Sequence, residues 1–173
     1  MGVVHGVMAA YRVMLRQRAG HIVNVSSITG LLPTPMLTPY SASKRAIVGL
    51  SNALRIESKR LGVNMSLACP CLVDTRIHER SDYLGVRKED CIAQIPRKLM
   101  VSPDAAARAI VRGVARNEVV IVHPWNARIG WRLYRFRPGL VGSLMQRSVS
   151  QFRKARTEKM TDNAGQRNRS FTP

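Results

Sequence analysis

Apolar residues recur along the chain at spacings that alternate between those of helices and those of strands. From Val3 to Leu15 the apolar positions repeat every three or four residues, which predicts a helix over residues 2–18 that ends at Gly20. Similar patterns predict helices over residues 39–61 and 103–116, and strands over residues 21–25, 63–68 and 119–122. Helices and strands therefore alternate, which predicts an α/β fold whose parallel strands are joined by right-handed crossovers.

Two longer connections follow predicted strands. Residues 28–38 contain Gly30, Pro33 and Pro35 and predict a loop, whereas residues 72–101 are charged and irregular with one weakly helical piece. Ligands of open α/β sheets bind at the carboxyl ends of the strands. A functional site is therefore expected where these connections begin.

The chain changes character after Pro124. Two sets of side chains share one helical spacing there: Arg128, Arg132 and Arg135, and one position later Ile129, Leu133 and Phe136. This predicts an amphipathic helical segment over residues 125–153, with two interpretations. The helix lies in the interface of an anionic membrane, or it packs on the sheet or on a partner subunit with its arginines outward. Residues 154–173 are predicted to be a disordered basic tail. The main domain is predicted to comprise residues 1–124.

The composition is that of a globular protein. Of the 173 residues, 45% are hydrophobic and 22% are charged, which excludes a wholly disordered chain. No apolar run approaches the ~20 residues of a membrane-spanning helix, and the first residues lack the pattern of a secretory leader. Three cysteines are too few for a disulfide scaffold. We therefore expect a cytoplasmic protein, attached to the periphery of a membrane if the first interpretation of segment 125–153 holds.

The net charge is strongly positive. Lys and Arg number 28 and Asp and Glu number 10, which gives +18 at pH 7. Such a charge favours a polyanionic partner, either nucleic acid or an anionic membrane surface. Nucleic acid is the less favoured partner, because no known nucleic-acid-binding motif occurs in the sequence.

Three residues point to chemistry: Ser27, Tyr40 and Lys44. Tyr40 and Lys44 are four residues apart in a predicted helix and so share one face. An ammonium beside a phenol lowers the pKa of the tyrosine, which makes it a usable general acid or base. Ser27 lies 13 residues before Tyr40, just after a predicted strand, where its hydroxyl can hold a substrate carbonyl oxygen. The neighbouring Ser26 is predicted to satisfy the backbone at the strand end instead.

The segments around these residues resemble the short-chain dehydrogenase/reductase family over residues 1 to about 123. Residues 21–30, His-Ile-Val-Asn-Val-Ser-Ser-Ile-Thr-Gly, resemble the strand that bears the family's catalytic serine. Residues 40–44, Tyr-Ser-Ala-Ser-Lys, resemble its tyrosine–lysine motif, and residues 69–75 resemble the segment next to the nicotinamide. The resemblance implies the second half of a doubly wound, Rossmann-like parallel sheet with flanking helices.

The resemblance also implies a function, hydride transfer between NAD or NADP and a small-molecule carbonyl or secondary alcohol. In that function Ser27 would polarise the substrate oxygen, Tyr40 would be the general acid and base, and Lys44 would hold the ribose and tune Tyr40. The implied cofactor contacts are Tyr40, Lys44, Pro70, the backbone of Val73, and Thr75. A turn residue after the strand is the other interpretation of Thr75.

Two features depart from the family pattern. Residues 1–173 contain no glycine-rich strand–turn–helix for the cofactor phosphates and no residue that selects between NAD and NADP. Cys71 stands where the family usually has glycine, and its side chain could crowd the nicotinamide. Cys69 and Cys71 without a nearby histidine are a poor ligand set, so we expect two shielded thiols and no metal.

One edge of the predicted sheet lacks the neighbour that a complete fold of this kind has. The strand over residues 21–25 would then present an unpaired apolar edge, which favours pairing with another chain. We therefore expect a marginally stable chain or a homo-oligomer. The alternative function is that of a non-catalytic remnant, which binds a partner or an anionic membrane surface.

Overall fold

The polypeptide has an α/β fold built on a three-stranded parallel sheet. The computed structural model describes residues 1–80, 88–93, 95–146 and 149–150. Its elements are α1 (Gly2–Gln17), β1 (Gly20–Val25), α2 (Thr38–Ser58), β2 (Val63–Pro70), α3 (Ile77–Arg80), α4 (Lys88–Ala93), α5 (Pro103–Ala115), β3 (Val120–His123) and α6 (Trp125–Phe136). The predicted α/β class and the predicted helices and strands before Pro124 are confirmed, with boundaries shifted by a few residues.

The strands lie in the order β1-β2-β3, so β2 is the central strand. β1 pairs with β2 over its full length, from Gly20 opposite Val63 to Val25 opposite Ala68, and β3 pairs with the second half of β2. β2 is buried except at Asn64 and, in part, Pro70, and it is continuously apolar from Leu67 onward, as expected of a parallel strand covered on both faces there. Among the described residues β1 pairs only with β2. The expected self-association through its other edge stays a prediction.

Two apolar clusters attach helices to one face of the sheet. The cluster near the amino ends of the strands consists of Val7, Ile22, Val63 and Met65. The cluster near the carboxyl ends consists of Ile28, Leu31, Val48, Leu67, Cys69 and Val122. The odd-numbered residues of β2 supply both clusters, because side chains alternate between the faces of a strand. α5 covers the opposite face, where Ile121 packs on Gly113.

The turns that lead into β1 and β2 contact each other through their backbones. α1 ends at Arg18, which has a left-handed conformation (φ 51°) and bonds the carbonyl of Leu15 through its N–H. The prediction that Gly20 ends this helix is wrong, because Arg18 turns the chain first and Gly20 already begins β1. Gly62 has a φ of +76°, and a Cβ there would overlap the carbonyl oxygen of Arg18. Glycine is therefore required just before the first residue pair of β1 and β2.

The connection after β2 is held at its base by a backbone bridge. Val73 and Val101 pair as an isolated parallel bridge, in which the N–H of Asp74 bonds the carbonyl of Val101 at 2.9 Å. Between these ends lie α3, α4 and a 3-10 turn at Arg97–Leu99. The bridge fixes the path of the chain directly after β2.

The chain after β3 is helical. α6 starts after Pro124 and packs on β3, with Ala127 and Trp131 against the cluster at the carboxyl ends of the strands. A second helical stretch covers residues 138–146. The predicted tail over residues 154–173 lies outside the described residues. No helix in the described part of the chain combines the length and the hydropathy needed to cross a bilayer.

Candidate active site

Ser27 lies between the end of β1 and a short 3-10 turn, Ile28–Gly30. Its backbone is extended, and its Oγ accepts a hydrogen bond from the N–H of Thr29 at 3.3 Å. This contact uses the hydroxyl as an acceptor and leaves its proton available to donate. Because Ser27 is only 9% exposed, an oxygen that it held would be largely shielded from water.

Ser26 links the end of β1 to α2. Its N–H bonds the carbonyl of Ala68 at 2.8 Å, and its buried Oγ donates to the carbonyl of Lys44 at 2.8 Å. The prediction that Ser26 satisfies the backbone is confirmed. The bond also fixes the position of the Lys44 backbone relative to the end of β1. Ser26 is therefore a positioning residue for the site.

Tyr40 and Lys44 occupy successive turns at the start of α2. Pro39 lies in the first turn, where its missing N–H forfeits no helical hydrogen bond. Tyr40 is 41% exposed, and the Nζ of Lys44 lies 5.5 Å from the centroid of its ring. The two side chains thus share a face, and the ammonium lies within range of a favourable interaction with the ring.

Gly30 allows the turn that carries Ser27 to touch α2 directly. A Cβ on Gly30 would lie 2.8 Å from the Oγ of Ser26 and 2.9 Å from the carbonyl oxygen of Lys44. Side chains do not approach neighbours so closely, so only glycine permits this packing. The sequence predicts Gly30 only as a loop residue, and its role in the site follows from the contact with Lys44.

The segment after β2 begins at the same end of the sheet as Ser27, because β1 and β2 are parallel and their carboxyl ends lie side by side. Pro70 is the last residue of β2. In the bridge between Val73 and Val101 the hydrogen bonds use the carbonyl of Leu72 and the N–H of Asp74. The N–H and carbonyl of Val73 itself therefore face away from Val101. The predicted contact of this backbone with a carboxamide stays a prediction.

Thr75 is exposed and forms a local turn. Its Oγ1 accepts a hydrogen bond from the N–H of Ile77 at 3.4 Å, at the start of α3. This is the turn role that sequence analysis gave as the other interpretation of Thr75. The hydroxyl proton is not used in that contact, so the predicted cofactor role is compatible with it.

Two buried hydroxyl oxygens beside the predicted residues were missed by sequence analysis. The Oγ1 of Thr29 and the Oγ of Ser41 are buried and have no hydrogen-bond partner within the described residues. Thr29 lies in the turn after Ser27, and Ser41 follows Tyr40 directly. The only sequence signal for them is this adjacency. A buried hydroxyl without a partner is unfavourable by about 1–3 kcal/mol.

The thiols of Cys69 and Cys71 are shielded from water. Cys69 is fully buried, and burial raises its pKa to about 12, although the neighbouring Ser26 and Ser27 act in the opposite direction. Burial also raises the pKa of the half-buried Cys71. The prediction of two shielded thiols is confirmed. Protonated thiols are poor nucleophiles and poor metal ligands, and no group of three metal-ligating side chains occurs in the described ranges.

The raised pKa of Cys69 predicts a loss of stability in alkaline solution. The thiol of the unfolded chain loses its proton near pH 9, whereas the folded chain retains it up to about pH 12. Deprotonation therefore favours the unfolded chain in this window, and the free energy of unfolding falls by on the order of 1 kcal/mol for each pH unit. We expect urea unfolding to show a steeper fall in the free energy of unfolding above pH 9 than in a Cys69→Ala variant. Equal slopes would contradict the shift.

A separate cleft of about 190 Å³ lies at the far edge of the sheet, between α5, β3 and α6. Arg112, Arg116, Glu118, His123 and Arg128 are among its lining residues. None of the residues predicted for catalysis or cofactor binding lines it. The candidate active site is thus the rim formed by the turn after β1, the start of α2 and the segment after β2.

Comparison with known sequences relates the chain to a protein family. Residues 1–83 match the profile of the family described as short chain dehydrogenase. SadH of Mycobacterium tuberculosis, which bears an oxidoreductase name, is 32% identical over 153 residues, covering 86% of this chain and 54% of that protein. The chain spans about half, or less, of the length of the curated relatives it matches.

Two solved structures share the fold over most of the chain. A short-chain dehydrogenase/reductase from Burkholderia phymatum in complex with NAD is 28% identical, with a TM-score of 0.67 over 80% of this chain and 55% of that chain. A short-chain dehydrogenase from Sphingobium yanoikuyae in complex with NADPH is 25% identical, with a TM-score of 0.54 over 71% of this chain and 47% of that chain. Both of these neighbours hold a nicotinamide dinucleotide.

Proposed function

Because this chain belongs to the short-chain dehydrogenase/reductase family, we propose that it acts in hydride transfer between NAD or NADP and a carbonyl or secondary alcohol. The observation that carries the proposal is the packing of three residues. The ammonium of Lys44 lies over the ring of Tyr40, and the turn that carries Ser27 packs on the same helix through Gly30. The two neighbours that hold NAD or NADPH support the class of cofactor.

Tyr40 is the proposed acid and base. It gives a proton to the substrate oxygen in reduction and takes one from the alcohol in oxidation, and its exposed position lets a small molecule reach it. The ammonium of Lys44, 5.5 Å from the ring centroid, stabilises the negative charge left on the phenol oxygen. Lys44 thereby lowers the free energy of the state in which the proton has been transferred.

Ser27 is the proposed orienting residue for the substrate oxygen. Its Oγ already accepts from the N–H of Thr29, which fixes the hydroxyl and leaves its proton to donate to the substrate. A donor held in place before the reaction stabilises developing charge without having to reorganise. The bond from Ser26 to the carbonyl of Lys44 keeps the strand end and α2 together.

The residues of this chain fit the nicotinamide end of the cofactor. Tyr40 and Lys44 present a hydroxyl and an ammonium suited to ribose hydroxyls, and the backbone of Val73 faces away from its bridge partner and suits a carboxamide. The cofactor, when bound, supplies the hydride donor or acceptor. A glycine-rich turn for its phosphates does not occur in residues 1–173.

Titration with NADH and NADPH tests the proposal. The purified chain is titrated while nicotinamide fluorescence is followed, and circular dichroism of the same sample reports whether the chain is folded. We expect saturable binding that Lys44→Ala weakens by about tenfold or more, since a charged hydrogen bond is lost. Lys59→Ala is the matched control, because Lys59 is an exposed lysine at the other end of α2.

Two results would contradict the cofactor assignment. A chain that is folded by circular dichroism but shows no saturable response to either dinucleotide does not hold a cofactor by itself. Equal affinity of the Lys44→Ala and Lys59→Ala variants would remove Lys44 from the ribose site. A difference between NADH and NADPH in this titration would identify the preferred cofactor.

A further inference from the structure

α6 presents a continuous apolar stripe to solvent. Its members and their exposed fractions are Trp125 (73%), Ile129 (54%), Leu133 (39%) and Phe136 (81%). Residues spaced by three and four positions lie on one face of a helix, so these four side chains form a single stripe. The following helical stretch, residues 138–146, exposes Leu140 and Leu144 with the same spacing.

Most of the stripe lies away from the face that attaches α6 to the protein, and only Trp125, at its start, also lines the cleft between α5, β3 and α6. Ala127 and Trp131 pack on the cluster at the carboxyl ends of the strands. In the next helical stretch Val141 is buried, with 5% exposed. α6 is therefore anchored by one side and directs large apolar side chains outward on another. The helix packs on the sheet, as the second sequence interpretation predicted, and still displays Ile129, Leu133 and Phe136; the membrane interpretation stays a prediction.

The surroundings of the stripe are cationic. Arg132, Arg135 and Arg137 are exposed on or just after α6, and the guanidinium of Arg135 lies 5.6 Å from the ring centroid of Trp131. The sequence contains no Asp or Glu between Glu118 and Glu158. Glu118 itself approaches Arg128 at 3.8 Å. The positive charge beside the stripe is thus not balanced by acidic residues of the same segment.

We propose that α6 docks on the surface of an anionic lipid bilayer. In this arrangement Trp125, Ile129 and Phe136 enter the boundary between headgroups and acyl chains, and the arginines remain among the anionic headgroups. The large apolar side chains match the boundary with the acyl chains, and the exposed arginines beside them match the anionic headgroups. The proposal rests on α6 alone and is independent of the proposed hydride-transfer function.

Other occupants of this face match it less well. A second copy of the chain would bring the same arginines against one another, which is unfavourable. Nucleic acid would neutralise the arginines but would leave the exposed ring of Phe136 without an apolar partner. A lipid surface satisfies the charge and the apolar area together.

The two tryptophans allow a site-specific test. The sequence contains two tryptophans, of which Trp125 lies on the stripe and Trp131 on the attached side. Trp131→Phe leaves Trp125 as the only indole reporter, and Trp125→Phe leaves Trp131. Each chain is mixed with neutral vesicles of phosphatidylcholine or with anionic vesicles in which a quarter of the lipid is phosphatidylglycerol. The same two mixtures are also prepared with brominated phosphatidylcholine. We expect the anionic vesicles to shift Trp125 emission to the blue and brominated lipid to quench it, with a smaller effect on Trp131.

Matched substitutions separate the two components of the surface. Ile129→Ser with Phe136→Ser removes apolar area from the stripe, and Ile56→Ser, at a residue of α2 that is 79% exposed, is the control. Arg132→Gln with Arg135→Gln removes charge, and Arg12→Gln with Arg16→Gln on α1 is the control. We expect the variant of the stripe and the variant of the arginines to lose roughly tenfold or more in vesicle affinity, and we expect neither control to do so. Circular dichroism verifies that each variant is folded.

Several outcomes would overturn the proposal. They are an unchanged Trp125 spectrum with anionic vesicles, equal responses to neutral and anionic vesicles, or the same loss in the control variants. A blue shift that grows with protein concentration without lipid would indicate a second copy instead. A shift produced equally by an oligonucleotide would indicate a general polyanion site.

Discussion

Replacement of Tyr40 by phenylalanine is expected to lower the turnover of a carbonyl substrate by about 10²- to 10⁴-fold, the range contributed by a positioned acid or base. The substitution removes only the phenol hydroxyl and retains the ring beside Lys44. Within the described residues no hydrogen bond is found for that hydroxyl, and Tyr40 is 41% exposed. The free energy of unfolding should therefore remain nearly unchanged while the rate falls.

The measurement is the steady-state oxidation of NADH or NADPH by a panel of ketones and aldehydes. Tyr11→Phe is the control, because it removes a phenol from α1, which packs on the cluster at the amino ends of the strands. We expect the loss in kcat for Tyr40→Phe only, with the dinucleotide affinity reduced much less. Turnover of Tyr40→Phe within a few fold of the parent protein would remove Tyr40 from the proposed role.

Replacement of Gly30 by alanine should damage stability and turnover together. The added methyl group would lie 2.8 Å from the Oγ of Ser26 and 2.9 Å from the carbonyl oxygen of Lys44, and both neighbours are tied to each other. The turn after β1 must then move away from α2, which separates Ser27 from Lys44. Overpacking of this kind typically costs about 1–3 kcal/mol of unfolding free energy.

Gly49→Ala is the matched control for that change. Gly49 lies on the same helix, and a Cβ there would meet no atom within 4 Å. Because alanine is the better helix former, we expect Gly49→Ala to stabilise the chain by about 0.5–1 kcal/mol. Urea unfolding should thus move the two variants in opposite directions. A stability of Gly30→Ala equal to that of the parent chain would show that the turn can relax without leaving α2.

The long helices and the strands could be predicted because each has a simple environment. β2 is mostly buried and most of its residues are apolar, and α1 and α2 each bury one stripe against the sheet. The segment between Val73 and Val101 could not be predicted in the same way. Helices of four to six residues are too short to show an apolar period, and the bridge that closes the segment joins residues far apart in sequence.

For the site, the sequence predicted the residue types but not the contacts that hold them. Tyr40 and Lys44 were placed on one face by their spacing alone, and the structure puts them there. The bond from Ser26 to Lys44 and the close approach of Gly30 join a strand end to a helix. No local pattern encodes such a contact. The roles of Ser27, Pro70, Val73 and Thr75 stay predictions that follow from family membership.

The backbone contact between Gly62 and Arg18 aligns β1 with β2 at the end of the sheet remote from Ser27. The connection over residues 33–37 at the opposite end is therefore not needed to set the strand register. A combinatorial library there can alter which small molecules reach Tyr40 while the strands stay aligned, and it leaves the proposed cofactor contacts Val73 and Thr75 intact. Libraries at Gly62 should instead return mostly unfolded chains, so the freedom to redesign this protein lies along one rim of its sheet.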